Sequence, residues 1–99
     1  MMAQKNEIIY VFFNPITNLT KIGITTNLKE RLSNLSNSSG VKLEVINYTQ
    51  LCVDIDESAR YVEFFLHNIF KQYRGVGEWF NFNNKQIKSI SNFINLIPN

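Results

Sequence analysis

Residues 8–32 read IIYVFFNPITNLTKIGITTNLKERL, and this stretch decides the fold. Residues 7–13 are β-branched and aromatic without a helical period, which predicts a strand. Residues 14–18 have turn chemistry, because proline presets φ and asparagine tolerates the dihedral angles of turns. Residues 19–24 return as a second strand, so the stretch predicts a β-hairpin.

A helix is expected directly after the hairpin. Thr26 or Asn27 can cap its N-terminus, and Glu30 stands in its first turn. The apolar positions share one face of this helix: Leu28, Leu32 and Leu35. Arg31 borders that face, and the run SNSSG at residues 36–40 predicts the end of the helix.

The rest of the chain predicts further strands and helices. Residues 41–51 begin with alternating apolar and polar side chains, which indicates a third strand. Residues 54–73 form the longest predicted helix, with a continuous apolar stripe. Residues 78–82 favour a short extended segment in the core, and residues 84–96 a last helix. The prediction is a single α+β domain over residues 1–99, with a three-stranded antiparallel sheet and about three helices.

Composition excludes several classes of protein. Of the 99 residues, 44 % are hydrophobic and 18 % charged, which is typical of globular domains and not of disordered chains. A net charge of +2 permits a nucleic-acid partner without requiring one. Cys52 is the single cysteine and there is one histidine, which excludes an internal disulfide and a zinc cluster. No run has transmembrane length and no signal core is present, so we expect no membrane partner and a cytoplasmic location, bacterial or host-cell.

A set of polar side chains on four successive predicted elements could support phosphodiester hydrolysis: Tyr10, Lys21, Arg31, Glu63 and His67. That reaction needs an activated water, neutralisation of charge at the phosphate and help for the leaving oxygen. Arginine binds phosphate through two N–H groups, and a carboxylate can hold Mg²⁺. Each residue also has a plainer interpretation: a core tyrosine, two solvated cations, and a helix pair of Glu63 with His67.

The spacing of these residues resembles a known family. The pattern Y-x(10)-K-I-G-x(7)-R, from Tyr10 to Arg31, resembles the paired motif of the GIY-YIG nuclease superfamily. The pattern E-x(3)-H-x(2)-F that begins at Glu63, followed by RGVGEWF at residues 74–80, is similar to its small phage and bacterial branch. That branch is also found in the domain called meiotically up-regulated. The resemblance covers about residues 8–82 and implies a GIY-YIG-like fold.

The resemblance implies a role for each candidate residue. Tyr10 matches the tyrosine proposed as general base or water-positioning group, and Arg31 matches the arginine that stabilises the transition state. Glu63 matches the single metal-binding carboxylate, with Mg²⁺ or Mn²⁺ as the cofactor, and His67 completes the catalytic set beside it. Lys21 stands where the second motif usually has tyrosine, so it would either deprotonate water or hold the phosphate. We expect Tyr10, Lys21, Arg31 and Glu63 to converge on one surface groove.

The implied activity is that of a metal-dependent DNA endonuclease that leaves a 3′-hydroxyl and a 5′-phosphate. The alternative is a non-catalytic or weakly catalytic nucleic-acid-binding module of the same fold, and a protein-interaction domain is a third hypothesis. DNA, single- or double-stranded, is the expected partner. The candidate nucleic-acid-binding residues are all basic: Lys21, Lys29, Arg31, Arg60 and Arg74. Specificity is expected from loops, a homodimer or a partner chain.

Overall fold

The chain builds an antiparallel sheet with the strand order β3-β1-β2-β4. The computed structural model describes residues 7–51, 67, 68, 71 and 79–96. The elements in chain order are β1 (Glu7–Asn14), β2 (Leu19–Thr25), α1 (Leu28–Ser39), β3 (Glu44–Leu51), β4 (Trp79–Phe80) and α2 (Asn84–Leu96). The predicted α+β class is confirmed. Among the described residues the sheet has four strands where three were predicted, because the short extended segment at Trp79 and Phe80 pairs with β2.

The predicted long helix falls almost wholly outside the described residues. Of residues 54–73, the structure describes His67 and Asn68, which are helical, and Lys71. The last helix has the predicted bounds. None of the helices in the described part of the chain is long and apolar enough to cross a membrane.

The turn of the β1–β2 hairpin is closed by one buried asparagine. The Asn14 side-chain oxygen accepts the backbone N–H groups of Ile16 and Thr17, at 2.9 and 3.2 Å. The backbone carbonyl of Asn14 accepts the N–H of Asn18 at 2.8 Å. Asn18 has a φ of 61°, in the left-handed region that asparagine enters more easily than most residues. The predicted turn is therefore confirmed, and it fixes the register of the hairpin.

The sheet has two differently covered faces, because successive side chains of a strand alternate between them. What we call the α2 face packs against α2, in a cluster of buried residues: Ile9, Val11, Ile22, Phe80, Phe82, Ile90 and Ile94. The α1 face packs against α1, through buried Tyr10, Phe12 and Leu43 and partly buried Leu28, Leu32, Leu35 and Trp79. The leucine stripe predicted for the first helix is thus the surface with which α1 covers the sheet.

Helix α1 begins and ends with specific caps. Asn27 is the N-cap, and its side-chain oxygen accepts the Glu30 N–H at 3.0 Å. The run at residues 36–40 ends the helix as expected, at its last residue, because α1 continues through Ser39. The Ser39 hydroxyl donates to the Ser36 carbonyl at 3.2 Å, which satisfies a carbonyl of the last turn. The helix ends at Gly40, whose φ of 71° favours glycine.

Residues 41–43 connect α1 to β3 rather than extending the strand. The Val41 N–H donates to the Ser36 carbonyl at 3.2 Å, and the Leu43 N–H donates to the Ser36 hydroxyl at 3.1 Å. These bonds hold the connection against the helix end, so β3 begins at Glu44, later than the predicted residue 41.

A buried hydroxyl in β2 gives a stability prediction. Thr20 is 0 % exposed, and its Oγ1 has no hydrogen-bond partner within the part of the chain that the structure describes. Thr20→Val keeps the side-chain shape and removes the desolvated hydroxyl, so we expect the free energy of unfolding to rise by about 1 kcal/mol. Urea denaturation measures this change. Thr25→Val is the control and should destabilise, because Thr25 Oγ1 accepts the Asn27 N–H at 3.1 Å. A loss of stability in Thr20→Val would contradict the prediction.

Candidate functional site

Tyr10 and Gly23 form a matched pair across the hairpin. The two residues face each other in the register of β1 and β2. A Cβ atom built on Gly23 would lie 2.5 Å from Cζ of Tyr10 and still closer to the hydroxyl oxygen. A Cβ atom does not approach a non-bonded heavy atom this closely in real proteins, so only glycine leaves room for this ring. The Tyr10 hydroxyl consequently lies over the backbone of the neighbouring strand β2.

Tyr10 is also a core residue, with 1 % of its surface exposed. Its ring stacks on Phe12, with centroids 4.1 Å apart and planes at 25°. Helix α1 covers both rings through its leucines. The plain interpretation of a core tyrosine therefore describes the ring, and its hydroxyl extends across to β2.

Lys21 lies on the same face and the same strand as the glycine beneath that hydroxyl. Two residues along a strand span about 6.6 to 6.8 Å, so Lys21 and Gly23 are next neighbours on the α1 face. Lys21 is half-buried, and its Nζ lies 5.6 Å from the centroid of the Trp79 ring. The two residues are also paired in the register of β2 and β4. Lys21 is therefore the next residue on the α1 face of β2 beside the glycine over which the Tyr10 hydroxyl lies.

Trp79 is a site residue that the sequence analysis did not select. The extended segment at residues 78–82 was assigned to the core as a unit, and Phe80 and Phe82 are indeed buried. Trp79 is instead half-buried, on the α1 face beside Lys21. The alternation of a strand places Trp79 and Phe80 on opposite faces, but a segment of two residues has no period from which to predict this.

Arg31 is exposed on α1. We call the side of the helix that carries it the Arg31 flank, and helix geometry shows which strand this flank faces. Ser36 lies about 140° from Arg31 around the helix, on the other side of the leucine stripe. Ser36 binds Leu43 just before β3, so the Arg31 flank is turned away from β3, toward the β2 side that carries Lys21. Lys29 lies about 160° from Arg31 and belongs to the opposite flank. Of these two exposed cations, Arg31 is thus the one on the Lys21 side.

His67 is bound to the backbone of the motif. Its Nε2 lies 3.1 Å from the carbonyl oxygen of Ile22, the residue between Lys21 and Gly23. A carbonyl only accepts, so Nε2 carries the hydrogen of this bond. The imidazole also packs edge-on against Phe80, with centroids 4.8 Å apart and an interplanar angle of 71°. His67 is therefore bound to strand β2, but its ring packs with Phe80 on the α2 face, opposite the α1 face that carries Tyr10 and Lys21.

The remaining candidates lie outside the described residues: Arg60, Glu63 and Arg74. The structure brings Tyr10, Lys21 and Arg31 to the α1 side of the sheet. The position of Glu63 in the same groove stays a prediction. His67 follows Glu63 by four positions in the sequence, and its bond to Ile22 shows where His67 itself meets the sheet.

A comparison with protein families matches residues 7–95 to the T5orf172 domain. The matched region includes all four strands, α1 and nearly all of α2. Comparisons with curated proteins and with solved structures found no match. The domain stands in a group associated with phage nucleases, and this favours a nuclease-like or DNA-binding role. The chain belongs to the T5orf172 domain family.

Proposed function

We propose that this T5orf172 domain is a metal-dependent endonuclease that hydrolyses DNA through a GIY-YIG-type site. The observation that best supports the proposal is the fit of the Tyr10 ring over Gly23, with Lys21 next along the same strand. A tyrosine, a lysine and a glycine at motif spacing need not meet in space. Here Tyr10 packs over Gly23 and Lys21 lies next to Gly23 on the same face of β2. In the proposal these residues would bind the attacking water and the phosphate.

The proposed reaction is an in-line displacement at phosphorus. A water oxygen bonds to phosphorus, the bond from phosphorus to O3′ breaks, and O3′ leaves as a hydroxyl with a proton derived from the water. Lys21 and Arg31 neutralise charge on the non-bridging phosphate oxygens. The Tyr10 hydroxyl hydrogen-bonds the attacking water and sets its direction. The products are a 3′-hydroxyl and a 5′-phosphate.

Glu63 would hold the divalent metal in this proposal. Mg²⁺ keeps most of its own waters and takes one or two carboxylates, so a single glutamate beside a DNA phosphate suits it. No three His, Cys, Asp or Glu side chains gather into a metal site among residues 7–51, 67, 68, 71 and 79–96. The described residues supply the hydroxyl and the cations, which fits a metal held by Glu63, water and substrate. When bound, the metal would stabilise negative charge on the phosphate and the leaving oxygen.

The burial of Tyr10 favours a second candidate function. Tyr10 has 1 % of its surface exposed, and a purely structural tyrosine would be buried in the same way. A domain that keeps this core but does not cleave would still present Lys21 and Arg31 to a nucleic acid. Cleavage that depends on added metal separates the two candidates.

The proposed function makes DNA binding sensitive to salt. If the groove neutralises a few phosphates, the logarithm of affinity should fall with the logarithm of salt concentration with a slope of magnitude about 2 to 4. Lys21→Ala and Arg31→Ala should each reduce that slope by about 1. Fluorescence anisotropy of a labelled DNA between low and moderate KCl measures it.

The matched control for these variants is Lys42→Ala. Lys42 is exposed and lies in the connection before β3, on the other side of α1 from the Arg31 flank. Its loss should change the slope less than either site variant. Binding that does not respond to salt, or no binding at low salt, would favour a protein-interaction domain instead.

A further inference from the structure

We propose that Trp79 is a positioning residue that holds the Lys21 ammonium in place, and that Lys21 acts as a phosphate-binding cation and not as a proton acceptor. The inference rests on the proposed function, because it assigns roles within the same site. It also decides between the two roles that the sequence left open for Lys21.

The geometry of the pair is that of a cation on an aromatic face. The Lys21 Nζ lies 5.6 Å from the Trp79 ring centroid, within the distance of about 6 Å at which the ring quadrupole attracts a cation. The two residues are directly paired across β2 and β4, on the same face of the sheet. Lys21 is half-buried, and its ammonium group lies beside the indole of the facing strand.

The indole is itself held firmly, although β4 has only two residues. Trp79 packs against the cluster formed by Tyr10 and Phe12 on the α1 face. The next residue, Phe80, is fully buried on the opposite face, where its ring stacks on Phe82 with centroids 5.0 Å apart. Because β4 packs against the core on both faces of the sheet, the Trp79 ring has a defined position beside Lys21.

The same contact limits the chemistry of Lys21. In this proposal Trp79 acts on the ammonium group of Lys21, because a neutral amine lacks the charge that the ring face attracts. An ammonium has three N–H donors and no lone pair. It can bind phosphate oxygens, but it cannot take a proton from water. The Tyr10 hydroxyl over Gly23 is then the group that remains to orient the water.

A double-mutant cycle on DNA affinity tests the positioning role. At low salt, Trp79→Leu should weaken binding by about threefold to tenfold, the range that a cation–π contact supports. In the Lys21→Gln background the same Trp79→Leu change should cost less than about twofold, since there is no cation to position. Trp79→Phe keeps a ring and should lie between wild type and Trp79→Leu. Thermal unfolding shows whether each variant is folded. If Trp79→Leu does not fold, Trp79→Phe replaces it in the double-mutant cycle. An equal loss in both backgrounds would overturn the proposal.

A second pair of variants tests the role of Lys21 as a cation. Arginine stays protonated in proteins, so Lys21→Arg keeps the charge and cannot act as a proton acceptor. We expect Lys21→Arg to keep the salt slope of wild type and to cleave DNA at least about tenfold faster than Lys21→Gln. If both variants are equally inactive while wild type cleaves, Lys21 is the proton acceptor: this inference fails and the proposed function stands. If wild type neither binds nor cleaves DNA, both fail.

Discussion

Glu63→Gln is expected to abolish DNA cleavage, with a loss on the order of 10²-fold or more, while DNA binding is kept or tightened. The other ligands of the proposed metal would be water and substrate, so in this proposal one carboxylate would supply the protein's charge at the metal. Glutamine preserves the size of the side chain and much of its hydrogen bonding, but it removes that charge. It also removes one negative charge near the DNA phosphates, which favours binding.

Two further variants make the Glu63→Gln result specific. Glu44→Gln also neutralises one glutamate, but at an exposed position on β3, and should leave the cleavage rate unchanged. His67→Ala should reduce cleavage less than Glu63→Gln does, because the His67 imidazole binds the Ile22 carbonyl and so acts on the position of its helix. Single-turnover cleavage of a labelled duplex gives the rates, and anisotropy gives the affinities. Equal rates for wild type and Glu63→Gln would mean that the site is misplaced.

Gly23→Ala should cost both stability and activity. The added Cβ would occupy the space of the Tyr10 ring, 2.5 Å from its Cζ, so the ring must turn out of its place over β2. Overpacking of this kind typically costs about 1 to 3 kcal/mol of unfolding free energy. Moving a positioning group by about 1 Å can cost on the order of 10²-fold in rate. We therefore expect cleavage to fall by about that factor in protein that is still folded.

Gly40→Ala is the matched control for this substitution. Gly40 has a φ of 71° and open space around its missing Cβ, so alanine there is strained without contacting another group. We expect a loss of about 1 kcal/mol in stability and unchanged cleavage at a temperature where the protein is folded. Urea denaturation and duplex cleavage are measured for both variants. Wild-type cleavage by Gly23→Ala would show that the Tyr10 hydroxyl is not needed where the structure places it.

The elements that sequence predicts well here are those with a strong local signal. The hairpin turn follows from Asn14 and Asn18, whose backbone and side-chain bonds are local. The leucine stripe of α1 and the bounds of α2 follow from helical periodicity. The sequence spacing of Tyr10 and Gly23 is more informative about the site than either strand alone, because the hairpin turn determines which residues of the two strands face each other.

The features that sequence could not give depend on packing between distant segments. Two residues, Trp79 and Phe80, are too few to show a strand period, so their pairing with β2 and the contact of Trp79 with Lys21 had no local signal. The bond of His67 to Ile22 joins residues 45 positions apart. The run at residues 36–40 predicts the region where α1 ends but not the exact residue, because serine can bond to a carbonyl of the last turn, as Ser39 does.

The central claim, that this domain cleaves DNA with one metal held by Glu63, is tested most directly by nicking of a supercoiled plasmid. Wild-type protein is incubated with Mg²⁺ or Mn²⁺ beside Glu63→Gln and beside wild type with EDTA. We expect nicked and linear DNA with wild type and metal alone, and intact supercoiled plasmid in both other reactions. Equal nicking by wild type and Glu63→Gln, or no nicking by wild type that still binds the plasmid, would contradict the account, and the second result would identify a binding module.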